Sequence, residues 1–279
     1  MQHYPEAALY VVATPIGNLA DITLRALHVL QLVDAIACED TRHTQPLLRL
    51  YGIQKPLLAV HEHNEAQAAE LVIERLHRGE RVAYVSDAGT PAVSDPGARL
   101  VAATRAAGLK VVPLPGASSV TTALSVAGIT GNPGFVFAGF LPSKAGERDQ
   151  AIQLLKTDPR ATVILEAPHR IEAVARALGV LEGRLITIGR ELTKQFEEIA
   201  TVAAQDMAAW VAASPQHTRG EFALVLHASE AEEAPEDHTA VLKLLLAELP
   251  LKTAVKLAAE ITGAPRNELY ETALKLKNE

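Results

Sequence analysis

The sequence predicts an α/β protein whose N-terminal half is built on a parallel sheet with helices on both faces. A short apolar strand followed by a helical segment recurs five times before residue 128, an alternation typical of parallel sheets. Proline, glycine or small polar residues follow the end of each strand, as expected where the chain must turn sharply. Beyond Gly134 several strands come at short intervals, which indicates a second, mixed sheet.

Each of the five units pairs a short strand rich in β-branched or other apolar residues with a helix that follows it. After Thr23, for example, Leu24, Leu27 and Leu30 recur at helical spacing. The strands are predicted at 9–13, 35–38, 57–60, 81–86 and 110–114, and the fifth helix at 120–127.

The stretch 86–97, SDAGTPAVSDPG, is predicted to form a rigid loop after the fourth strand. Gly89 can adopt a positive φ, and Pro91 fixes its own φ. Asp95 and Pro96 predict the start of the next helix, as its N-cap and first residue. Because ligands of open α/β sheets bind beyond the carboxyl ends of the strands, a site is expected first at this loop.

The second half of the chain divides into a mixed-sheet segment and a helical tail. Strands are predicted at 135–139, 162–165, 185–188, 198–202 and 221–227, and three helices at 239–249, 252–261 and 267–276. A break at Gly263, Ala264 and Pro265 gives the last two helices a helix-turn-helix pattern. The predicted domains are 1–131, 132–228, an acidic linker at 229–238 and a helical domain at 239–279.

The composition excludes several classes of protein. A net charge of −7 argues against indiscriminate nucleic-acid binding, although a local basic patch would not show in the total. No apolar run approaches the roughly 20 residues that a spanning helix needs, and the first residues lack the pattern of a secretory signal. Cys38 is the single cysteine, so no internal disulfide forms and a reducing, cytoplasmic location is expected.

Familiar motifs for nucleotide and metal binding are absent. No GxGxxG follows the first strand, no P-loop pattern occurs, and no CxxC pair exists. His61 and His63 could ligate a metal, but alternate residues of an extended segment point apart. We therefore predict no metal site.

What remains is a set of loops made of small and polar residues at neighbouring strand ends. Such loops suit a cofactor with an adenosine and an amino-acid group better than a triphosphate. The motifs are TPIGNLADIT (14–23), EDTRHT (39–44), SDAGTP (86–91), PLPGASS (113–119), FLPSK (140–144), EAPHR (166–170) and GRELTK (189–194). With these motifs in this order, the chain resembles the small-subunit ribosomal RNA cytidine 2′-O-methyltransferase family, within the tetrapyrrole-methylase-like class of S-adenosylmethionine enzymes.

The resemblance implies a tetrapyrrole-methylase-like fold with S-adenosylmethionine held between two α/β domains, usually in a homodimer. It also implies the substrate, the ribose 2′-hydroxyl of a cytidine in the decoding region of 16S ribosomal RNA, met within the small ribosomal subunit. The helical tail would then contact either RNA or a dimer partner.

The resemblance also carries the family's cofactor contacts onto residues of this chain. The turn Gly89-Thr90-Pro91 stands where tetrapyrrole methylases have Gly-Asp-Pro, which removes a carboxylate at Thr90 and fits the RNA-modifying branch. The implied contacts are Pro15, Asp87, Gly89, Thr90, Val93, Ser118, Ser119, Leu165, Glu166, Phe222 and Leu224.

Methyl transfer to a ribose hydroxyl calls for a group that accepts its proton, because a protonated hydroxyl is a poor nucleophile. Glu39 and Asp40, just beyond the second strand, are the expected proton acceptors. Arg42 and Lys194 are expected to bind phosphate or transition-state charge. For each of these residues the alternative is a solvent-exposed salt bridge or a helix cap. Other candidates are His43, Glu166, His169, Arg190 and Glu191.

Two other functions stay open on the sequence. A tetrapyrrole C-methyltransferase would use the same fold, but the Gly-Thr-Pro turn, EDTRHT and the helical tail speak against it. A non-catalytic RNA-binding or ribosome-assembly factor could retain the cofactor cleft. Binding of S-adenosylmethionine would distinguish that factor from an enzyme.

Overall fold

The computed structural model describes residues 3–61, 64–131, 134–229 and 239–277. The chain forms two compact units, Met1–Ser229 and Glu230–Glu279. Apart from Ser229, the predicted acidic linker lies outside the described residues, as does His63 of the pair weighed as metal ligands. The division of the larger unit into domains at residue 131 stays a prediction. No helix in the described part of the chain is long and apolar enough to cross a membrane.

The first sheet has five parallel strands, as the alternation of strands and helices predicts. Its strands are β1 (Ala8–Val12), β2 (Ala35–Cys38), β3 (Leu57–Ala59), β4 (Arg81–Val85) and β5 (Lys110–Leu114). Their order is β3-β2-β4-β1-β5, so β4 and β1 lie side by side at the centre. The helices that follow the strands are α1 (Leu24–Leu32), α2 (Thr41–Leu50), α3 (Glu65–His77), α4 (Ala98–Ala106) and α5 (Ser119–Val126).

Helices cover both faces of this sheet, which explains why its strands are mostly apolar. Successive residues of β1 point to opposite faces: Leu9 packs with Val72 of α3, and Tyr10 with Val29 of α1. All four side chains are fully buried. Burial of a valine or leucine side chain contributes about 1.5–3 kcal/mol, so this core holds the strand ends in fixed register.

The second sheet is mixed, also as predicted. Its order is β6-β7-β10-β8-β9, with β6 parallel to β7 and the other neighbours antiparallel. The strands are β6 (Phe135–Phe140), β7 (Ala161–Glu166), β8 (Leu185–Arg190), β9 (Glu198–Ala203) and β10 (Phe222–Leu226). The accompanying helices are α6 (Ala145–Thr157), α7 (Ile171–Leu178) and α8 (Met207–Ala212).

Helix α5 follows the last strand of the first sheet but packs against the second sheet. Val120 and Ala123 of this helix share a buried cluster with Val163 of β7 and Val225 of β10. The core of the second sheet therefore includes chain from before residue 131.

The C-terminal unit contains three helices, α9 (Thr239–Glu248), α10 (Leu251–Thr262) and α11 (Arg266–Lys277). Leu242, Val255 and Leu269, one from each helix, meet in a small core of their own. Gly263 ends α10 with a φ of 74°, a left-handed conformation that glycine adopts without strain. This turn joins α10 to α11 where the sequence predicts the break.

Candidate functional site

A cavity of about 310 Å³ opens among the loops that follow strands of both sheets. Its volume lies at the lower end of the range for small-molecule sites, about 300–1,000 Å³. From the first-sheet side it is lined by Gly89, Thr90, Val93, Ser118 and Ser119, and from the second-sheet side by Leu165, Glu166 and Phe222. All eight were predicted as cofactor contacts, and the fold brings them together around one space.

Backbone contacts fix the loop that follows β4. Thr14 and Gly89 exchange two backbone hydrogen bonds of 2.9 and 3.0 Å, which join the loops after β1 and β4. The Thr90 hydroxyl donates to the Ala117 carbonyl at 3.0 Å. Ala92 and Ser94 have φ values of 65° and 68°, and such left-handed residues cost about 1–3 kcal/mol each. The surrounding structure therefore holds this wall in one conformation.

The prediction that Asp95 and Pro96 begin helix α4 is wrong. The helix begins at Ala98, and Gly97 at the N-cap has a φ of 116°. A carboxylate from another helix supplies the cap: Oε1 of Glu65 accepts the N–H groups of Gly97, Arg99 and Leu100 at 3.0, 3.0 and 3.3 Å. This buried acceptor lies about thirty residues away in sequence, so no local pattern announces it.

Because α4 begins after it, Asp95 lines the cavity. Burial raises the pKa of Asp95, a hydrogen bond with the Ser86 side chain lowers it in part, and the nearby charge of Asp87 raises it further. The cavity thus contains an acidic group that the sequence argument assigned to a helix cap.

Asp87 turns away from the cavity toward α2. Its Oδ1 accepts the Asp40 N–H at 3.2 Å, and its Oδ2 lies 2.9 Å from Nδ1 of His43. Asp87 is not among the cavity-lining residues, although it immediately precedes two of them, Ala88 and Gly89. The structure therefore joins this predicted cofactor contact to the loop of the predicted proton acceptors.

Glu166 is the buried charged group of the second-sheet wall, with 2% of its surface exposed. Its Oε1 accepts the Ala167 N–H at 2.8 Å and lies 3.1 Å from Nε of Arg170. Its Oε2 is buried and has no hydrogen-bond partner among the described residues. Burial raises the pKa of Glu166, and the Ala167 N–H and Arg170 offset only part of that rise. The Glu166 side chain is fully buried, so this oxygen is an unsatisfied acceptor inside the second-sheet wall.

Besides Asp87, two further predicted contacts, Pro15 and Leu224, do not line the cavity. Pro15 is buried beneath its loop, and its neighbour Ile16 reaches the cavity instead. Leu224 packs in the core on the other face of the second sheet, because side chains alternate along β10 and Ala223 takes the cavity side.

The predicted proton acceptor Asp40 is paired within its own loop. It caps α2 by accepting the Arg42 N–H at 2.7 Å, and the Arg42 guanidinium grips the same carboxylate at 2.6 Å. These side-chain and backbone hydrogen bonds from Arg42 hold the pKa of Asp40 at about 2. The Arg42 side chain is 88% exposed. The helix-cap alternative therefore holds for Asp40. A carboxylate with so low a pKa is a weak proton acceptor.

Glu39, the other predicted proton acceptor, is half-buried beside the same loop. Burial raises the pKa of Glu39, and the charges of Asp87 and Asp95 raise it further, against a backbone hydrogen bond with Asp87. The group is thus a better proton acceptor than Asp40.

Lys194 lies in the turn between β8 and β9, where it is held by two carboxylates. Its Nζ is 2.8 Å from Oε1 of Glu191 and 2.9 Å from Oε2 of Glu221, a cavity-lining residue. Burial alone would lower the pKa of Lys194, but these two hydrogen bonds outweigh it and raise the pKa. The charge of Lys194 is therefore paired in the second-sheet wall, as the charge of Arg42 is paired with Asp40.

Several cavity residues escaped the sequence argument. Phe140, Leu192 and Ala223 line the cavity, and they are ordinary apolar residues in sequence. Gly189 is the one signal that could have indicated the place: a Cβ there would lie 3.0 Å from the Leu192 side chain and 3.2 Å from the Ala223 carbonyl. A glycine inside a strand often marks such a close approach.

Solved structures share this architecture. Cobalt precorrin-4 methyltransferase superposes with a TM-score of 0.59 at 16% identity, over 78% of this chain and 94% of that one. Uroporphyrin-III C-methyltransferase from Thermus thermophilus, complexed with S-adenosyl homocysteine, gives a TM-score of 0.55 at 17% identity, over 78% and 96% of the two chains. At these identities the likeness establishes the fold alone.

Family models agree with that fold. The model described as Tetrapyrrole (Corrin/Porphyrin) Methylases matches residues 8–208, and the RsmI C-terminal HTH domain matches residues 232–277. The fold and the cleft thus define a methylase of the tetrapyrrole class. Relatives from Escherichia coli O157:H7 (46% identity, 97% of this chain and 96% of that protein) and Neisseria meningitidis serogroup A (48%, 97% and 94%) are both named Ribosomal RNA small subunit methyltransferase I. The chain belongs to the family of these small-subunit methyltransferases, which confirms the resemblance.

Proposed function

We propose that this protein transfers a methyl group from S-adenosylmethionine to a ribose 2′-hydroxyl of 16S ribosomal RNA. The observation that carries the proposal is the cavity among strand-end loops of both sheets, with the unpaired buried oxygen of Glu166 in its wall. The names of the full-length relatives supply the RNA substrate. A cytidine of the decoding region, as the sequence motifs imply, is the specific target of the proposal.

The donor set of the cavity fits this cofactor. Adenosine and methionine carry amino, ammonium and hydroxyl groups, which need hydrogen-bond acceptors in the wall of the cavity. Ser118 occupies the N-cap of α5 but makes no capping hydrogen bond with its side chain, so its hydroxyl is available at the cavity, beside that of Ser119. Apolar side chains such as Leu165 and Phe222 complete the walls.

When bound, the cofactor supplies a methyl group on a sulfonium, which is displaced in line by an oxygen. The loop around Gly89 and the wall that contains Glu166 would hold the reactants in that line, and orientation of this kind can supply about 7–11 kcal/mol of a barrier. A ribose in compact RNA is hard to reach, so the target nucleotide is expected to be splayed out at the cavity mouth.

The surroundings of the charged residues predicted for catalysis support their proposed roles unequally. Glu39 is the stronger of the two proton acceptors, since Asp40 is ionised and gripped by Arg42. Arg42 is exposed enough to meet RNA phosphate, whereas Lys194 is positioned to support the cavity wall through Glu221. The proposal further includes a cytoplasmic homodimer that acts on the small ribosomal subunit, with the helix-turn-helix unit contacting RNA or the dimer partner.

The proposal is tested by titrating S-adenosylmethionine into the protein in a calorimeter and by mapping ribose methylation of 16S RNA in cells with and without the gene. We expect micromolar binding and the loss of one 2′-O-methyl group in the deleted strain. Binding without any change in RNA methylation would contradict the RNA substrate and favour a tetrapyrrole substrate. Absence of cofactor binding would contradict both enzymatic functions and favour an assembly factor.

A further inference from the structure

His43 and Asp87 form a hydrogen-bonded pair at the carboxyl ends of two neighbouring strands. His43 lies in the first turn of α2, just beyond β2, and Asp87 lies just beyond β4. The strands are paired through Cys38 and Val85, which brings the two loops together. The distance from Nδ1 of His43 to Oδ2 of Asp87 is 2.9 Å.

Both ends of the Asp87 carboxylate are occupied, so its orientation is fixed. While Oδ2 meets the imidazole, Oδ1 accepts the Asp40 N–H at 3.2 Å. A carboxylate in this position favours the tautomer in which Nδ1 of His43 carries the hydrogen and donates it. The remaining nitrogen, Nε2, then presents a lone pair.

That nitrogen is available to a substrate. The His43 side chain is 69% exposed, and Nε2 makes no hydrogen bond with any described residue. The loop of Asp87 continues directly into Ala88 and Gly89 of the cavity wall. A polymer such as RNA is too large for a cavity of about 310 Å³, so only the target nucleotide would approach the cavity, and the rest of the RNA would stay outside it.

The other acidic groups of this loop are less available to a substrate. Asp40 is gripped by Arg42, and Glu39 is half-buried, beside the Asp87 backbone. His43 therefore combines exposure, a fixed orientation and an unpaired lone pair.

We propose that His43 is the catalytic proton acceptor and that Asp87 is the positioning residue that orients it. The inference rests on the proposed function. As the 2′-oxygen bonds to the methyl carbon, its proton passes to Nε2 of His43. The carbon–sulfur bond breaks, its electron pair stays on sulfur, and the imidazolium later releases the proton to water.

Among the described residues, the charged groups near the His43 ring are carboxylates and one arginine. Asp87 lies at 2.9 Å and Asp40 at 3.8 Å from Nδ1, and Arg42 neutralises Asp40. Glu39 precedes the helix on the same loop. The carboxylates favour the imidazolium that proton transfer creates, as a carboxylate does in Asp–His pairs of hydrolases.

Single-turnover methylation of small subunits, measured from pH 5 to 9 with saturating cofactor, tests the proton acceptor. The wild-type rate should rise through the range where imidazoles lose their proton, about pH 6–7. His43→Ala should lower the rate about 10²–10⁴-fold and abolish that rise, with partial rescue by added imidazole. His77→Ala, which removes an exposed histidine at the end of α3, is the matched control and should retain the wild-type profile.

Asp87→Asn separates positioning from catalysis. The variant should keep a pH-dependent rate, lower than wild type, because the imidazole remains but is no longer held in orientation by a carboxylate. A proton NMR titration of the imidazole signals, with no substrate present, should show a changed His43 signal in Asp87→Asn while the His77 signal stays. His43→Gln identifies the signal, and calorimetry with S-adenosylmethionine shows whether each variant retains the folded cleft.

Two results would overturn the assignment. In the first, His43→Ala and His43→Gln keep the wild-type rate and pH profile while Glu39→Gln loses both, and the base is then Glu39. In the second, the His43 signal in the NMR titration is unaffected by Asp87→Asn, and the pair is then not formed in solution. Failure of the wild-type protein to methylate RNA despite binding the cofactor would instead contradict the proposed function.

Discussion

Two buried carboxylates, Glu65 at the start of α4 and Glu166 in the wall of the cavity, differ in how their oxygens are paired. Glu65 is 6% exposed, and one of its oxygens accepts three backbone N–H groups at the start of α4. Glu166 is 2% exposed, yet one of its oxygens has no partner among the described residues. Glu65 thus caps the helix that follows the loop around Gly89, whereas Glu166 keeps an unpaired acceptor within the cavity wall.

Glu65→Ala should have the largest effect, and the effect should be on stability. The change leaves three N–H groups of α4 without an acceptor, at an expected cost of about 3 kcal/mol in the free energy of unfolding. Urea unfolding measures this cost, and Glu70→Ala, an exposed position of the same helix, is the control. A loss below about 0.5 kcal/mol would show that water replaces the cap and would remove the contrast with Glu166.

Glu166→Gln should chiefly affect the ligand. The amide cannot reproduce the charged acceptor at Oε2, so the Kd for S-adenosylmethionine should rise about tenfold or more, equivalent to about 1.4 kcal/mol or more. Calorimetry measures the change, with Glu172→Gln, an exposed glutamate of α7, as the control. Unchanged affinity would mean that Oε2 does not meet the cofactor.

The raised pKa of Glu166 adds a pH dependence with a definite sign. The folded protein holds a proton on this carboxyl at pH values where the unfolded chain has lost it, so ionisation of Glu166 lowers stability as pH rises above about 4.5. That part of the pH dependence of unfolding should disappear in Glu166→Gln. A profile identical to wild type would show that the unpaired oxygen is solvated.

Substitution of Asp40 should have the smallest effect on stability, and the pH dependence involved is opposite in sign to that of Glu166. Because Arg42 lowers the pKa of Asp40 to about 2, its ionised form stabilises the fold above about pH 4, and this contribution is lost as pH falls toward 2. In Asp40→Asn, the urea midpoint of unfolding should therefore depend less on pH in that window than it does in the wild-type protein. Asp158, which Arg160 grips in the same way with a pKa of about 2, should give the same result in Asp158→Asn, and a difference between the two variants would contradict a purely local origin.

Local sequence patterns predict this fold correctly where neighbouring residues decide the structure, and incorrectly where distant residues do. The bounds of β2 and β5 follow from short apolar runs flanked by turn residues, and the observed strands match them. The start of α4 was misplaced because its cap comes from Glu65 on another helix. Asp95 and Pro96 form a typical local capping pattern, but the buried carboxylate of Glu65 caps the helix two residues later.

For the site, the sequence indicated the loops better than the side chains. Eight implied contacts surround the cavity, and five of them follow the parallel strands β4 and β5, whose carboxyl ends lie at one edge of the first sheet. Pro15 and Leu224 missed it by one residue, because loop curvature and strand alternation decide which neighbour points inward. The pairing of Asp87 with His43 depends on tertiary placement, which single-residue patterns do not contain.

The packing of helix α5 determines where the chain would bend if the cavity opened. The helix follows β5 of the first sheet, yet buries Val120 and Ala123 against β7 and β10 of the second. If the two sheets moved apart, α5 would travel with the second sheet, and the chain would bend at residues 115–118. The hinge of the cleft would then lie beside Ser118, within the ligand wall itself, rather than at the glycine-rich turn near residue 131.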